Sequence, residues 1–196
     1  MKKWIALMLT LALAMSLSAC SCAKQPDAPD GTKPTGTTDP TQTTGSSNGK
    51  ALPGTMEENI NRIMENNPVE FMGVAISVDV KDTSEENLWT LKNYTGLDSA
   101  EKLTDVAVYE PMTGSQAFSL VLARVTDAAN AETVAREMKE KINPGKWICV
   151  QADQVMAAGY GDTVMFIMLD SQLGKTAQSY VDAFAKVCGS KPDFTL

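Results

Sequence analysis

Residues 117–142 read AFSLVLARVTDAANAETVAREMKEKI, and along this one stretch the hydrophobic period changes. Residues 118–125 are apolar at almost every position, with Arg124 the only charge. A half-buried strand alternates, so an unbroken apolar run predicts a strand covered on both faces. Asp127 then offers a side-chain oxygen to the amides of an opening helix, whose apolar face is Val134, Met138 and Ile142 at four-residue spacing through position 142. A strand over residues 105–111 and a turn at Met112-Thr113-Gly114-Ser115 precede the stretch. The whole reads strand, turn, strand, helix.

The same order returns downstream, which predicts an internal duplication. Residues 155–160 and 163–169 flank a turn at Gly161-Asp162, Asp170 or Ser171 serves as N-cap, and a helix runs through Cys188 with Tyr180 or Val181, Phe184 and Cys188 on its inner face. Residues 164–169 are again apolar throughout. Two such units place 118–125 and 164–169 side by side at the centre of an antiparallel sheet with helices packed on it, an α+β fold.

One or two extra helices precede the units. Thr55-Met56-Glu57-Glu58 fits a capping box, Ile60, Ile63 and Met64 follow at helical spacing, and Asn66-Asn67-Pro68 ends the helix. Residues 71–80 alternate, which predicts a strand whose buried face is Val74, Ile76, Val78 and Val80. Ser84-Glu85-Glu86 opens a short helix with Leu88, Trp89 and Leu91 as its apolar positions, ending near Tyr94-Thr95-Gly96.

Ahead of this body lie Met1-Lys2-Lys3, an uncharged apolar run over residues 4–17, and Ser18-Ala19-Cys20. That is the three-part layout of a secretory signal, and the run is shorter than the roughly 20 residues a spanning helix needs. Leu17-Ser18-Ala19-Cys20 resembles the bacterial lipobox. In that family diacylglycerol is attached to the cysteine sulfur and the chain is cleaved just before it. The resemblance implies residues 1–19 as a lipoprotein signal peptide and Cys20 as the lipidated residue, carrying fatty acyl chains such as palmitate. Cys22 is the weaker candidate, because Ala19 stands where the motif wants a larger aliphatic residue. Two acyl chains, at about 0.8 kcal/mol per buried methylene, hold a protein durably to a bilayer.

Residues 23–54 are Pro, Gly, Thr, Ser, Asp, Gln and Lys almost throughout, with Ala51-Leu52 the only apolar pair. Such composition predicts a disordered tether, residues 20–54 with the lipidated cysteine, with a root-mean-square reach of roughly 30 Å. The threonine-rich character resembles that of surface lipoproteins of Gram-positive bacteria. The expected layout is therefore a signal, a tether and one globular domain over residues 55–196, on the extracytoplasmic face of the cell membrane.

The full chain of 196 residues has net charge −7. Setting aside three acids and five bases in residues 1–54 leaves 21 acidic and 12 basic side chains in the domain. A field of that sign repels nucleic acid, so no nucleic-acid partner is expected. The chain contains no histidine, which removes the commonest general base and metal ligand together.

Side chains that carry chemistry elsewhere have plain structural readings here. Cys149 and Cys188 sit in core-like neighbourhoods and read as buried free thiols, with a disulfide the lesser alternative. Glu57-Glu58 and Glu85-Glu86 occupy first helical turns, where the helix dipole favours them. Glu70, Glu110 and Asp153 fall near strand ends, where a hydrolase would place its acids. Met156, Met165 and Met168 could offer thioethers to copper(I) but read as core, with 165 and 168 on opposite strand faces. Asn93-Tyr94-Thr95 forms a glycosylation sequon without force in a bacterium. Arg124 is expected to pair with an acid or leave at the sheet edge.

The stretches 117–142 and YGDTVMFIMLD at 160–170 also resemble, loosely, a family of uncharacterised lipoproteins from clostridia and their relatives. That family brings no known activity, so it implies no site residues. The sequence thus points to a membrane-anchored binding or interaction module, with no catalytic residues, metal or cofactor expected and a cell-envelope protein or glycan as partner. The alternative is a cell-envelope hydrolase using acidic residues.

Overall fold

The computed structural model describes residues 50–196. The expected signal, the lipidation site at Cys20, Cys22 and the tether up to residue 49 lie outside the described residues.

The chain forms α1 (Met56–Asn66), β1 (Gly73–Val78), α2 (Glu85–Thr95), β2 (Leu103–Pro111), β3 (Phe118–Val125), α3 (Ala131–Lys141), β4 (Gln154–Tyr160), β5 (Thr163–Leu169), α4 (Ala177–Cys188) and β6 (Phe194–Thr195). The strands make one antiparallel sheet in the order β1-β2-β3-β5-β4-β6. The two apolar runs are the neighbours at its centre, with Leu120 opposite Ile167 and Leu122 opposite Met165. Every residue of both is buried except Arg124. Backbone alternation sends Leu120, Leu122, Met165 and Ile167 to one face, against α1 and α4. Val121, Ala123, Val164 and Phe166 go to the other, against α2 and α3. The fold is α+β, and it has three layers because the central strands are apolar on both sides.

Both strand-turn-strand-helix units are present and share a device that sequence reading assigned differently. Asp127 and Asp170 do cap, but each caps a single 3-10 turn, Ala128–Asn130 and Ser171–Leu173, rather than the α-helix itself. In the second unit Gly174, at φ 72°, ends the turn, and Thr176 caps α4 with its hydroxyl accepting from Ser179 N–H. The units differ in one respect: α3 lies on one face and α4 on the other. A two-fold axis normal to the sheet would superpose the hairpins while leaving both helices on the same face. The duplication is one of element order, not of rotation.

The capping box at Thr55 forms as expected. The alternation in β1 does not bury its predicted face: Val78 is buried, but Val74 is 51% and Ile76 38% exposed. Only Leu91 and Thr95 of α2 are buried, one turn apart, so this helix covers the Val78 end of β1 and leaves the rest open. Trp89, expected on the inner face of α2, is 69% exposed for the same reason.

The folded body also reaches further back than residue 55. Leu52 is buried in the core with α1 and α4. Arg124 holds it there, Nη2 donating to Leu52 O at 2.5 Å and Gly54 O at 3.1 Å, with Nε 3.6 Å from Asp162 Oδ2. The arginine that stood out in an apolar strand does meet an acid, and its larger task is to clamp the incoming chain. Lys50 adds an ion pair to Asp193 at 2.6 Å. The two-residue strand β6, which no pattern announced, pairs with β4 where the Phe194 ring covers Gly159, leaving no room for a Cβ.

Candidate functional site

Where β2 ends, three segments converge. Met112 N–H donates to Met72 O at 3.0 Å, continuing the β1–β2 ladder past Pro111. Ile148 N–H donates to Gly114 O at 2.9 Å, tying the long loop after α3 to the turn after β2. Lys146 is thereby laid over Glu110, and Tyr94 closes in from the end of α2.

The charge pair at the centre is largely removed from water. Lys146 Nζ stands 2.5 Å from Glu110 Oε1, with 5% of the lysine side chain and 21% of the glutamate exposed. Nζ also donates to Asn93 O at 3.0 Å and lies over the rings of Tyr94 at 4.8 Å and Trp147 at 5.3 Å. Burial pulls the Lys146 ammonium below the usual lysine range and the Glu110 carboxylate pulls it partly back. Burial, with the Glu110 charge adding, raises the Tyr94 phenol.

Around this pair the surface is apolar and open. Met72, Met112 and Ile148 are two-thirds or more exposed, and Val74, opposite Glu110 in the register, shares its face. A cation held over aromatic rings amid exposed aliphatic side chains is binding chemistry: it supplies apolar contact area and a fixed positive centre. The chain enters the fold at the other end of the sheet, where Arg124 stands opposite Asp105 in the strand register. Seven residues of β2 and its continuation separate Asp105 from Met112, about 23 Å at 3.3 Å per residue.

The three acids considered for hydrolysis are not brought together. Glu70 is exposed in the loop before β1. Glu110 is committed to Lys146. Asp153 clamps the 3-10 turn after β5, accepting from Ser171 N–H at 2.8 Å and Ser171 Oγ at 2.5 Å, bonds that hold its carboxyl below the usual range. Three strand spacings, about 14 Å, separate the backbones of β2 and β4, and Asp153 lies two residues beyond Val155, the position level with Glu110. Paired glycosidase carboxyls stand about 5–9.5 Å apart.

The thiols differ from each other. Cys149 is exposed at φ 61°, not in the core as its neighbours suggested, and Ile148 beside it is exposed too. Cys188 is half-buried at the end of α4, and burial pushes its thiol up to about 12. Both are free. Met165 and Met168 are fully buried on opposite faces, as the spacing predicted. Among the described residues no three carboxylate or thiol side chains gather to hold a metal ion, and no helix is long and apolar enough to cross a membrane.

Beside α1 an open groove of about 530 Å3 is lined by Asn61, Met64, Glu65, Pro68, Val69 and Tyr109. Phe71, Tyr109 and Tyr180 pack edge-on around Phe118, with centroids 5.2–6.1 Å apart. Among the described residues the buried Tyr180 hydroxyl has no hydrogen-bond partner, and burial raises its pKa.

Sequence reasoning passed over Lys146, Tyr94, Trp147 and Ile148 as a group. The local signal was a lysine between Gly145 and an aromatic-aliphatic pair in a loop, but its partner lies 36 positions upstream. No protein-family model, curated protein or solved structure matches this chain.

Proposed function

We propose that this protein is a lipid-anchored binding module of the cell envelope. Residues 1–19 act as a lipoprotein signal, Cys20 carries the diacylglycerol with fatty acyl chains such as palmitate, and the tether leads to the folded body at Lys50. The anchor leaves the domain on the extracytoplasmic face of the membrane, in a Gram-positive host, with an envelope protein or glycan as partner. The loose resemblance to clostridial lipoproteins belongs to the same proposal. What carries the binding reading is the exposed apolar surface around the desolvated Lys146–Glu110 pair, whose far point at Met112 lies about 23 Å along the sheet from the clamp that receives the tether. A site at the end remote from the anchor is free to meet another molecule.

Two measurements on protein from its producing cells test this. Mass spectrometry of the N-terminal peptide is expected to find residues 1–19 absent and Cys20 diacylated; an intact Met1 or an unmodified Cys20 overturns the anchor. A photo-crosslinking residue at Met112 or Ile148 is expected to capture an envelope component that the same residue at Lys186 does not. Equal capture at both places overturns the assignment of the surface.

A further inference from the structure

The free edge of β1 is unusual in what it lacks. The run from Phe71 to Val78 contains no charged residue and no proline, and the pairing of β1 with β2 is regular over its whole length. Natural sheets guard their edges with lysine, proline, bulges or very short strands, because an open row of N–H and C=O groups recruits another strand. The opposite edge of this sheet follows that rule, ending in the two-residue β6 beside Asp193 and Lys50.

The hydrogen-bonding phase of the edge is fixed by the ladder. Because Met112 N–H donates to Met72 O and register continues from there, Met72, Val74, Ile76 and Val78 bond inward to β2. The backbone groups of Gly73, Ala75 and Ser77 therefore point away from the sheet, and among the described residues no other strand receives them. The Tyr109 hydroxyl engages the Gly73 amide. The amides of Ala75 and Ser77 and the carbonyls of all three remain for a partner.

We infer that β1 pairs antiparallel with β1 of a second copy of this chain, about a two-fold axis through Ala75, to form a continuous sheet of twelve strands. The sequence of the strand is self-complementary about that residue. Ala75 faces Ala75 and Gly73 faces Ser77 in hydrogen-bonded pairs, while Val74 faces Ile76 in the closer pairs. The branched side chains of the two copies meet on one face and small residues meet on the other; no residue of the strand is charged, and the nearby Glu57 carboxylate is engaged by Ser77 Oγ of its own copy at 2.7 Å. Cross-strand pairs of β-branched residues are among those that stabilise a sheet. Two bonds between the Ala75 residues and two from Ser77 N–H to Gly73 O complete the ladder. Val74 and Ile76, half-exposed in the single chain, gain cross-strand neighbours, which explains why the alternation of β1 was written as if for burial. A strand from an unrelated protein would satisfy the backbone groups but not this symmetry. The inference does not rest on lipid anchoring or on the Lys146 surface.

The register makes the test specific. In the full chain carrying Cys20→Ser, Cys22→Ser and Cys149→Ser, Val74→Cys and Ile76→Cys are made separately and the two purified proteins are mixed under mild oxidation. Closely opposed pairs have Cα atoms about 4.5 Å apart, within disulfide range, so the mixture is expected to give a disulfide-linked dimer several-fold more abundant than either protein alone. Sedimentation of the unmodified full chain is expected to show a monomer–dimer equilibrium. Its dissociation constant should rise at least tenfold in Ile76→Lys and in Ala75→Pro; the proline removes an outward amide without touching the β1–β2 ladder, so it serves where the lysine variant misfolds. A chain that sediments as monomer across the concentration series, or a mixture that crosslinks no better than its parts, overturns the proposal. Capture of a different protein by the Val74→Cys variant in place of a second copy overturns it as well.

Discussion

Lys146 Nζ sits 2.5 Å from Glu110 Oε1 at the end of a sheet whose nearest neighbours are rings and aliphatic chains. The two partners are unequally buried, and this sets the order of their mutational costs. Glu110→Gln strips the counter-charge from a nearly dry ammonium and is expected to cost about 2–4 kcal/mol; Lys146→Met leaves a carboxylate that water still reaches and is expected to cost about 1–2 kcal/mol. The double variant should recover most of the loss, as coupled neighbours do. In Glu110→Gln the lysine also loses the one group raising its pKa against burial. Its folded value then lies further below the unfolded 10.5. The unfolded state binds the extra proton in that interval, so the variant's stability should climb as pH rises through it. Urea midpoints at neutral and alkaline pH check both statements.

The clamp on the incoming chain predicts a local failure before a global one. Arg124→Ala removes donors to the Leu52 and Gly54 carbonyls, and Leu52→Ala empties a position at the margin of the core. Each should cost about 2 kcal/mol. Because both act on the same segment, the double variant should cost less than their sum. Trypsin should cut after Lys50 faster in either variant while far-ultraviolet circular dichroism is unchanged.

Acid should weaken the fold through carboxylates that the native state holds ionised. Asp98 accepts from Lys92 at 2.8 Å and Lys141 at 2.9 Å, and these bonds draw its carboxyl down to about 2. Lys141 and Lys102 lower Glu137, the Gly161 amide and Lys50 lower Asp193, and Ser171 lowers Asp153. Groups depressed in the folded state contribute stability above their unfolded values and lose it as pH falls through the folded ones. Urea midpoints should therefore drop between pH 4.5 and about 2. Asp98→Asn should flatten the lower part of that fall, and added salt should shrink its effect, since these side chains are exposed.

The fold was legible where the chain repeats its chemistry within a few residues. The apolar runs at 118–125 and 164–169 announced the two central strands, and the capping box at Thr55 announced α1, because burial on both faces and end-capping are local demands. The site was not legible, for two physical reasons. Lys146 and Glu110 meet only because the Ile148–Gly114 bond folds a loop back over the end of β2, a contact no spacing encodes. The exposure of Val74 and Ile76 depends on how far α2 extends across the sheet, and alternation shows that a strand has two faces without showing which is covered.

Gly96 shows how closely α2 approaches the end of α3. It caps α2 in the left-handed conformation at φ 77°, and a Cβ placed on it would stand 2.7 Å from the Ile142 backbone nitrogen. Gly174 has nearly the same φ, 72°, with nothing within 4 Å of a Cβ. The left-handed penalty is about 1–2 kcal/mol for each on conversion to alanine, so Gly174→Ala measures that penalty alone. Gly96→Ala adds a collision with backbone, which cannot rotate aside as a side chain does, and should cost about 1–2 kcal/mol beyond its control. Because Asn93 on the last turn of α2 receives Lys146 Nζ, displacing the helix should also disturb the ring packing at Trp147. Urea denaturation of the two variants, followed by tryptophan fluorescence, should show the larger loss and an altered native spectrum for Gly96→Ala only. Equal losses would mean that the α2 to α3 approach is loose enough to yield.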